Sequence, residues 1–250
     1  MKKSRISIAQ VLGELFLTAG VVLLLFAFYE AFWTNVESGK LQDQAQQELD
    51  EQWKNPRQNL TPELGEAFAR MYIPAFGPDF EFAIIEGTDE NDLLRGPGHY
   101  EDTQMPGEVG NFAIAGHRVG KGAPFNDLGA LETCDAIVVE TATNWVTYRV
   151  LPIDGQPTDC LSTEQQAKLA GEYSGVQGRH ITVPGDVGVL VAVPSLADAP
   201  ATEGIITLTT CHPQFSNAER MIVHAMEVEN LPKSNSDGSG QRPSALEETA

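Results

Sequence analysis

The first strong pattern in the chain is an apolar run from Leu15 to Tyr29, continued past Glu30 by Ala31, Phe32 and Trp33. As a helix, residues 15–33 would span about 28 Å, close to the ~30 Å hydrocarbon core of a bilayer. Glu14 and Glu30 would then sit near the two interfaces, and Tyr29 and Trp33 suit the headgroup level. A cleaved signal peptide wants a shorter apolar core and small residues at a cut site. The bulky residues here favour an uncleaved anchor, and basic residues on one side only argue against a buried core helix. Lys2, Lys3 and Arg5 precede the run, so residues 1–14 read as a cytoplasmic basic tail and everything after Trp33 as extracellular.

Residues 34–66 are mostly polar. Leu41, Ala45 and Leu49 recur at i, i+4 and i+8, which predicts a thin amphipathic stalk helix. Thr61-Pro62-Glu63 has the form of a helix cap with Pro at the first position, predicting a short helical turn. From residue 67 the texture changes to short β-rich runs at 70–73, 80–86, 111–115, 136–140, 145–151, 187–193, 205–210 and 221–228, punctuated by Gly, Pro, Asp and Asn. About eight such strands with turn signals predict an all-β sandwich or closed barrel over residues 67–231. One helix is expected at 163–173, capped by Ser162 or Thr163. Residues 232–250, rich in Ser, Gly, Asn and acids without apolar periodicity, read as a disordered tail.

Composition narrows the function classes. The chain has 250 residues, 42% of them apolar, enough for one folded domain with accessories. Its net charge of −19 repels phosphate backbones, which excludes nucleic acid as a partner. Three cysteines rule out a disulfide scaffold, and the odd number leaves at least one thiol free or paired between chains. Outside the cell Cys134 and Cys160 could pair and leave Cys211 free; the alternative is that both are small buried hydrophobes.

Cys211 ends the 205–210 strand, just before Pro213, where a rigid scaffold meets solvent. A thiol nucleophile needs a lowered pKa or an adjacent base. His212 is adjacent in sequence, but successive side chains of a strand point to opposite faces, so the base should come from elsewhere. His99, His117, His180 and His224 are the candidates. Residues 111–115 form a strand that delivers His117 after Gly116, and Arg220 opens the strand after Cys211. A metal site of Cys211, His212 and His117 is disfavoured, since contiguous Cys-His chelates poorly and no further ligands lie at metal spacing.

With these blocks in order, the sequence resembles the sortases. Thr207-Leu208-Thr209-Thr210-Cys211, the upstream His117, and Arg220 nine residues after the cysteine match that family's signature. Leu94-Arg95-Gly96-Pro97-Gly98-His99-Tyr100, Gly110-Asn111-Phe112-Ala113-Ile114-Ala115-Gly116-His117-Arg118 and Gly122-Ala123-Pro124-Phe125 resemble its class E branch, found in actinobacteria. The resemblance implies a closed sortase-type β-barrel of about eight strands behind an N-terminal transmembrane helix. It implies a cysteine transpeptidase that cleaves an L-A-x-T-G or L-P-x-T-G sorting signal between Thr and Gly. Cys211 would be the nucleophile, His117 the general acid/base and Arg220 the stabiliser of oxyanion or substrate. Thr209, Thr210 and Lys121 would contact substrate. No cofactor and no metal are implied. The implied partners are surface proteins bearing the signal, a lipid-linked peptidoglycan precursor and the membrane.

Two features depart from class E. Lys121 stands where a tyrosine associated with choosing alanine over proline is expected, and the stretch between Tyr148-Arg149-Val150 and Asp186-Val187 is longer than usual. A pilus-polymerising sortase is a weaker alternative, because Pro78-Asp79-Phe80 reverses that branch's Asp-Pro-aromatic lid motif and the C-terminus is polar. A membrane-anchored, non-catalytic β-barrel binding module is the reading of a different class; it predicts an unreactive Cys211.

Overall fold

A computed structural model of the chain describes residues 7–29, 33–54, 61–233 and 242–248. The basic residues Lys2, Lys3 and Arg5, the interfacial Glu30 and most of the C-terminal tail lie outside the described residues. Helix α1, Ile8–Phe28, starts earlier than the apolar run because Ser7 caps it, accepting from the backbone N–H of Gln10. None of its side chains is buried. At 21 residues it is about 31 Å long.

Helix α2, Thr34–Trp53, carries the apolar row expected of a stalk, but it lies along the domain. Ala45 and Leu49 are fully buried against Ala67, Ala83 and Ile85. A single apolar stripe in water is stabilised by covering it, and here a sheet face does so. Polar contacts flank the stripe: Arg70 donates to Gln46 (2.7 Å) and pairs with Asp50 (2.8 Å), and Arg95 pairs with Glu48. The turn expected after Pro62 is not helical. Glu66 N–H bonds Glu63 C=O (3.0 Å) and Gly65 takes φ +78°, a reversal that leads into the first strand.

The strands are β1 Ala67–Tyr72, β2 Glu81–Glu86, β3 Gly98–His99, β4 Gly110–Ala115, β5 Ala136–Glu140, β6 Asn144–Val150, β7 Arg179–Thr182, β8 Gly204–His212 and β9 Glu219–Pro232. Their order is β6-β5-β1-β2-β3-β4-β8-β9, and β6 pairs with β9, closing an eight-stranded barrel. β7 adds to β9 outside this ring. The pairs β2–β3 and β4–β8 are parallel and the rest antiparallel. Alternate residues such as Met71, Ile84, Phe112, Ile114, Leu208 and Val223 fill the interior, as period-2 strands closed into a small barrel require.

Between β2 and β3 a short helix, α3 (Glu90–Arg95), starts with a capping box of Asp89 and Asp92. Residues 187–193, expected as a strand, instead form a 3₁₀ turn at Val187–Leu190, begun by Asp186 Oδ1 accepting from Gly188 N–H (3.1 Å). The extra strands β3 and β7 are two and four residues long, too short to show a periodicity. Helix α4, Thr163–Ala170, is capped by Ser162 with Gln165 and stops at Gly171. It belongs to the long insertion, which folds into a second small core of Leu161, Tyr173, Val176 and Val193 on the outer side of Ile205 and Met226. Cys134 and Cys160 form a disulfide (Cα–Cα 5.7 Å) that ties this insertion to the barrel, and Cys211 is free. Part of the expected disordered tail is ordered. Ala245 and Leu246 pack beside Trp145 and Tyr72, and Glu248 pairs with Arg149 (2.6 Å).

Candidate active site

The barrel brings Cys211, His117 and Arg220 to one edge of its outer face. β8 and β9 are antiparallel with Cys211 directly opposite Arg220. Since Ile206, Leu208, Met221 and Val223 point inward, alternation puts Thr209, Cys211 and Arg220 outward together. β4 runs parallel to β8 with Ala115 beside Thr209, so the chain leaves β4 for His117 at the same end of the barrel at which β8 reaches Cys211. The crossing is fastened twice: Gly116 N–H donates to Thr209 C=O (3.0 Å), and the Thr210 hydroxyl donates to Gly116 C=O (2.8 Å). Gly116 is obligatory for space, because a Cβ there would collide with the Phe125 ring.

Cys211 is partly exposed. His117 is half-buried; burial of its ring and then the nearby Lys121 ammonium push its pKa below the ordinary histidine range. Its Nε2 has no hydrogen-bond partner among the described residues. An imidazole nitrogen left without a partner can take or give a proton. Arg220 is steadied by its own turn, donating to the carbonyls of Asn217 (3.2 Å) and Glu219 (2.9 Å). His212 points to the other side, where Arg118 donates to its Nδ1 (2.6 Å) and to Cys211 C=O (3.2 Å). Among the described residues no group of three or more His, Cys, Asp or Glu side chains is placed to hold a metal.

A sortase domain model matches residues 71–228, the span that contains all three residues. The chain belongs to the sortase family. It is 35% identical over 234 residues to sortase SrtE1 of Streptomyces coelicolor, covering 90% of this chain but only 59% of that protein. Among solved structures it is similar to the SrtF sortase of Corynebacterium diphtheriae at 60% identity, over 78% of this chain and 98% of that one, with TM-score 0.71. It is also similar to sortase E1 from S. coelicolor with a tripeptide in the active site, at 32% identity over 73% and 97% of the two chains, with TM-score 0.55.

Within this sortase the sequence-nominated contact residues separate. Thr209 shares the outer face with Cys211, and its hydroxyl meets the Tyr100 phenol at 3.1 Å. Thr210 is buried on the opposite side and its hydroxyl is taken by Gly116. Lys121, in the loop after His117, adopts φ +53° and pairs with Glu90 of α3. The remaining histidines are structural. His99 is buried, with Nδ1 on Glu86 (2.8 Å) and Nε2 on Thr103 (2.9 Å). His224 is buried with Nδ1 on the Thr207 hydroxyl (2.8 Å), and His180 packs on it.

Asn111, Tyr100 and Arg118, all within the stretches that resemble class E, also shape this part of the barrel, although no sequence pattern gives them a role. Asn111 is buried and donates to the carbonyls of Val189 (3.0 Å) and Val191 (3.1 Å). Its carbonyl oxygen accepts from the Thr207 hydroxyl (2.6 Å). It thus latches the connection between β7 and β8 onto the sheet that bears the site. The signal for Asn111 is the polar residue itself, placed in an otherwise apolar strand.

Proposed function

We propose that this sortase is a class E-like, membrane-anchored transpeptidase that joins sorting-signal proteins to a cell-wall amine. The observation that supports this reading is the pairing of Cys211 opposite Arg220 at the end of the barrel where β4 gives way to His117. The Cys211 thiolate attacks the threonine carbonyl of an L-A-x-T-G or L-P-x-T-G signal. The Thr–Gly bond breaks and His117 protonates the departing glycine amine. An amine of a lipid-linked peptidoglycan precursor then gives its proton to His117, attacks the thioester and releases the thiol. Arg220 and backbone N–H groups stabilise the negative oxygen in both steps. Thr209 and Lys121 border the path of the signal, and Thr210 acts by holding Gly116. Helix α1 crosses the membrane with its N-terminus cytoplasmic, which keeps the domain where both substrates are tethered. A tripeptide in the active site of the S. coelicolor relative supports a peptide substrate.

The test is a transpeptidation assay with paired L-A-x-T-G and L-P-x-T-G peptides and a diaminopimelate-type amine. Cys211→Ala and His117→Ala should each lower turnover by a factor of about 10² or more with an unchanged circular-dichroism spectrum. His212→Ala should retain activity. An inactive His212 variant beside an active His117 variant would reverse the base assignment.

A further inference from the structure

We propose that the catalytic edge of the barrel, the edge bearing Cys211, His117 and Arg220, faces the lipid surface, and that α2 is the strut that sets this orientation. The inference rests on the reading above that α1 spans the membrane. Only five residues separate the end of α1 at Phe28 from the start of α2 at Thr34. Fully extended they reach no more than about 20 Å. The first turn of α2 is therefore held close to the bilayer.

That first turn touches the catalytic edge. Asn35 Oδ1 accepts from the backbone N–H of Gly122 (3.1 Å), in the loop that follows His117. Gly122, at φ +77°, sits so close that the Gln42 amide fills the space a Cβ would need. From there α2 crosses the barrel wall over Ala67, Ala83 and Ile85, and its last residue, Trp53, meets the other end. The Lys233 ammonium lies 4.0 Å from the centre of the Trp53 ring. Lys233 follows the last residue of β9, whereas Arg220 is near its first. Those dozen residues of strand separate the two ends by about 40 Å along the strand, roughly 30 Å along the axis of a barrel with ordinary strand tilt.

The membrane-proximal end of α2 is thus its catalytic end. The loop joining β8 to β9 at the same edge carries Phe215, 87% exposed and held out by a left-handed backbone (φ +64°). Val183, following Thr182 opposite Arg220, is also exposed there. An aromatic exposed to this degree suits the apolar boundary beneath lipid headgroups. In this orientation a sorting signal or lipid-linked amine emerging from the bilayer meets Cys211 without passing around the barrel.

Energy transfer to lipid tests this. The full chain, carrying Cys211→Ala so that an introduced cysteine is the only free thiol, is placed in phosphatidylglycerol nanodiscs with a headgroup-linked acceptor. A donor is attached at Asn217→Cys, on the catalytic edge, or at Ala142→Cys, on the exposed β5–β6 turn of the far end. Transfer from position 217 should exceed that from position 142 by at least about twofold, as a ~30 Å difference in height requires. Equal transfer, or the reverse order, overturns the proposal. Inserting about fifteen Gly/Ser residues between Trp33 and Thr34 frees the strut from the membrane and should abolish the difference; a difference that persists removes α2 from its orienting role. A chain that fails to enter the nanodisc defeats the membrane reading itself, and the orientation with it.

Discussion

Lys121 shows how much a single position in the site constrains. It occupies a left-handed backbone conformation and its ammonium is held by Glu90, leaving no phenol in the loop beside His117. A tyrosine there could hydrogen-bond the amide of alanine in the signal, which proline lacks, and a site built around a hydrogen bond rejects a ligand that cannot make it. The alanine-over-proline ratio of specificity constants should accordingly be small in the native enzyme. Lys121→Tyr should raise it by about tenfold. A large ratio unchanged by the substitution would move selectivity elsewhere on the groove. His224 makes a prediction about stability. Burial, and then neighbouring His180, depress its pKa to about 3, so it is neutral in the fold. The unfolded chain takes up a proton near pH 6.5 and the folded one does not, so stability is full above about pH 6.5 and falls as pH drops towards 3. His117 and His180, also depressed by burial, add in the same direction. Denaturant midpoints between pH 7 and 4 should fall less steeply in His224→Gln than in the native protein.

At the scale of elements, the insertion between β6 and β8 depends on a covalent tie. Its small core of Leu161, Tyr173, Val176 and Val193 is fastened to the barrel by Cys134–Cys160, separated by 26 residues in sequence. A loop of that size constrains the unfolded chain by about 3 kcal/mol. Replacing both cysteines with serine should lower unfolding free energy by roughly that amount, while thiol titration of the native protein counts one reactive group, Cys211. The Tyr173 hydroxyl accepts from the N–H groups of Thr202 (2.8 Å) and Glu203 (3.0 Å), so loosening the insertion should reach the start of β8. The Asn111 latch works on the next stretch. It holds a segment whose Val-Gly-Val-Leu run reads as a strand but whose carbonyls are claimed by an amide from β4.

Over the whole molecule, the division of labour between the helices sets a clear expectation. None of α1 is buried, whereas α2 shares a core with β1 and β2. A chain shortened to begin at Thr34 should fold, keep its thermal midpoint to within a few degrees, and process soluble signal peptides at the native rate. A chain begun at Thr61, lacking α2, exposes Ala67, Ala83 and Ile85 and leaves Arg70 without Gln46 and Asp50. It should be less stable by several kcal/mol, since each large apolar contact stripped of cover costs about 1–3 kcal/mol. Comparing the melting curves of the two truncations separates anchor from strut.

The sequence by itself determined what depends on short windows: the long apolar helix, most of the barrel strands, the Ser162 cap and the strand-end thiol. It also separated His212 from Cys211, because alternation along a strand is a local rule. The tertiary structure decided whatever joins distant segments. His117 reaches the end of the barrel that holds Cys211 only because β4 and β8 pair in parallel register across a long separation, and no local pattern specifies a register. The Cys134–Cys160 pairing, the docking of α2 and the seating of Ala245 and Leu246 beside Trp145 are likewise meetings of surfaces whose partners lie elsewhere in the chain. β3 and β7 were illegible because two or four residues carry no period; their neighbours' unpaired backbone groups recruit them into the sheet.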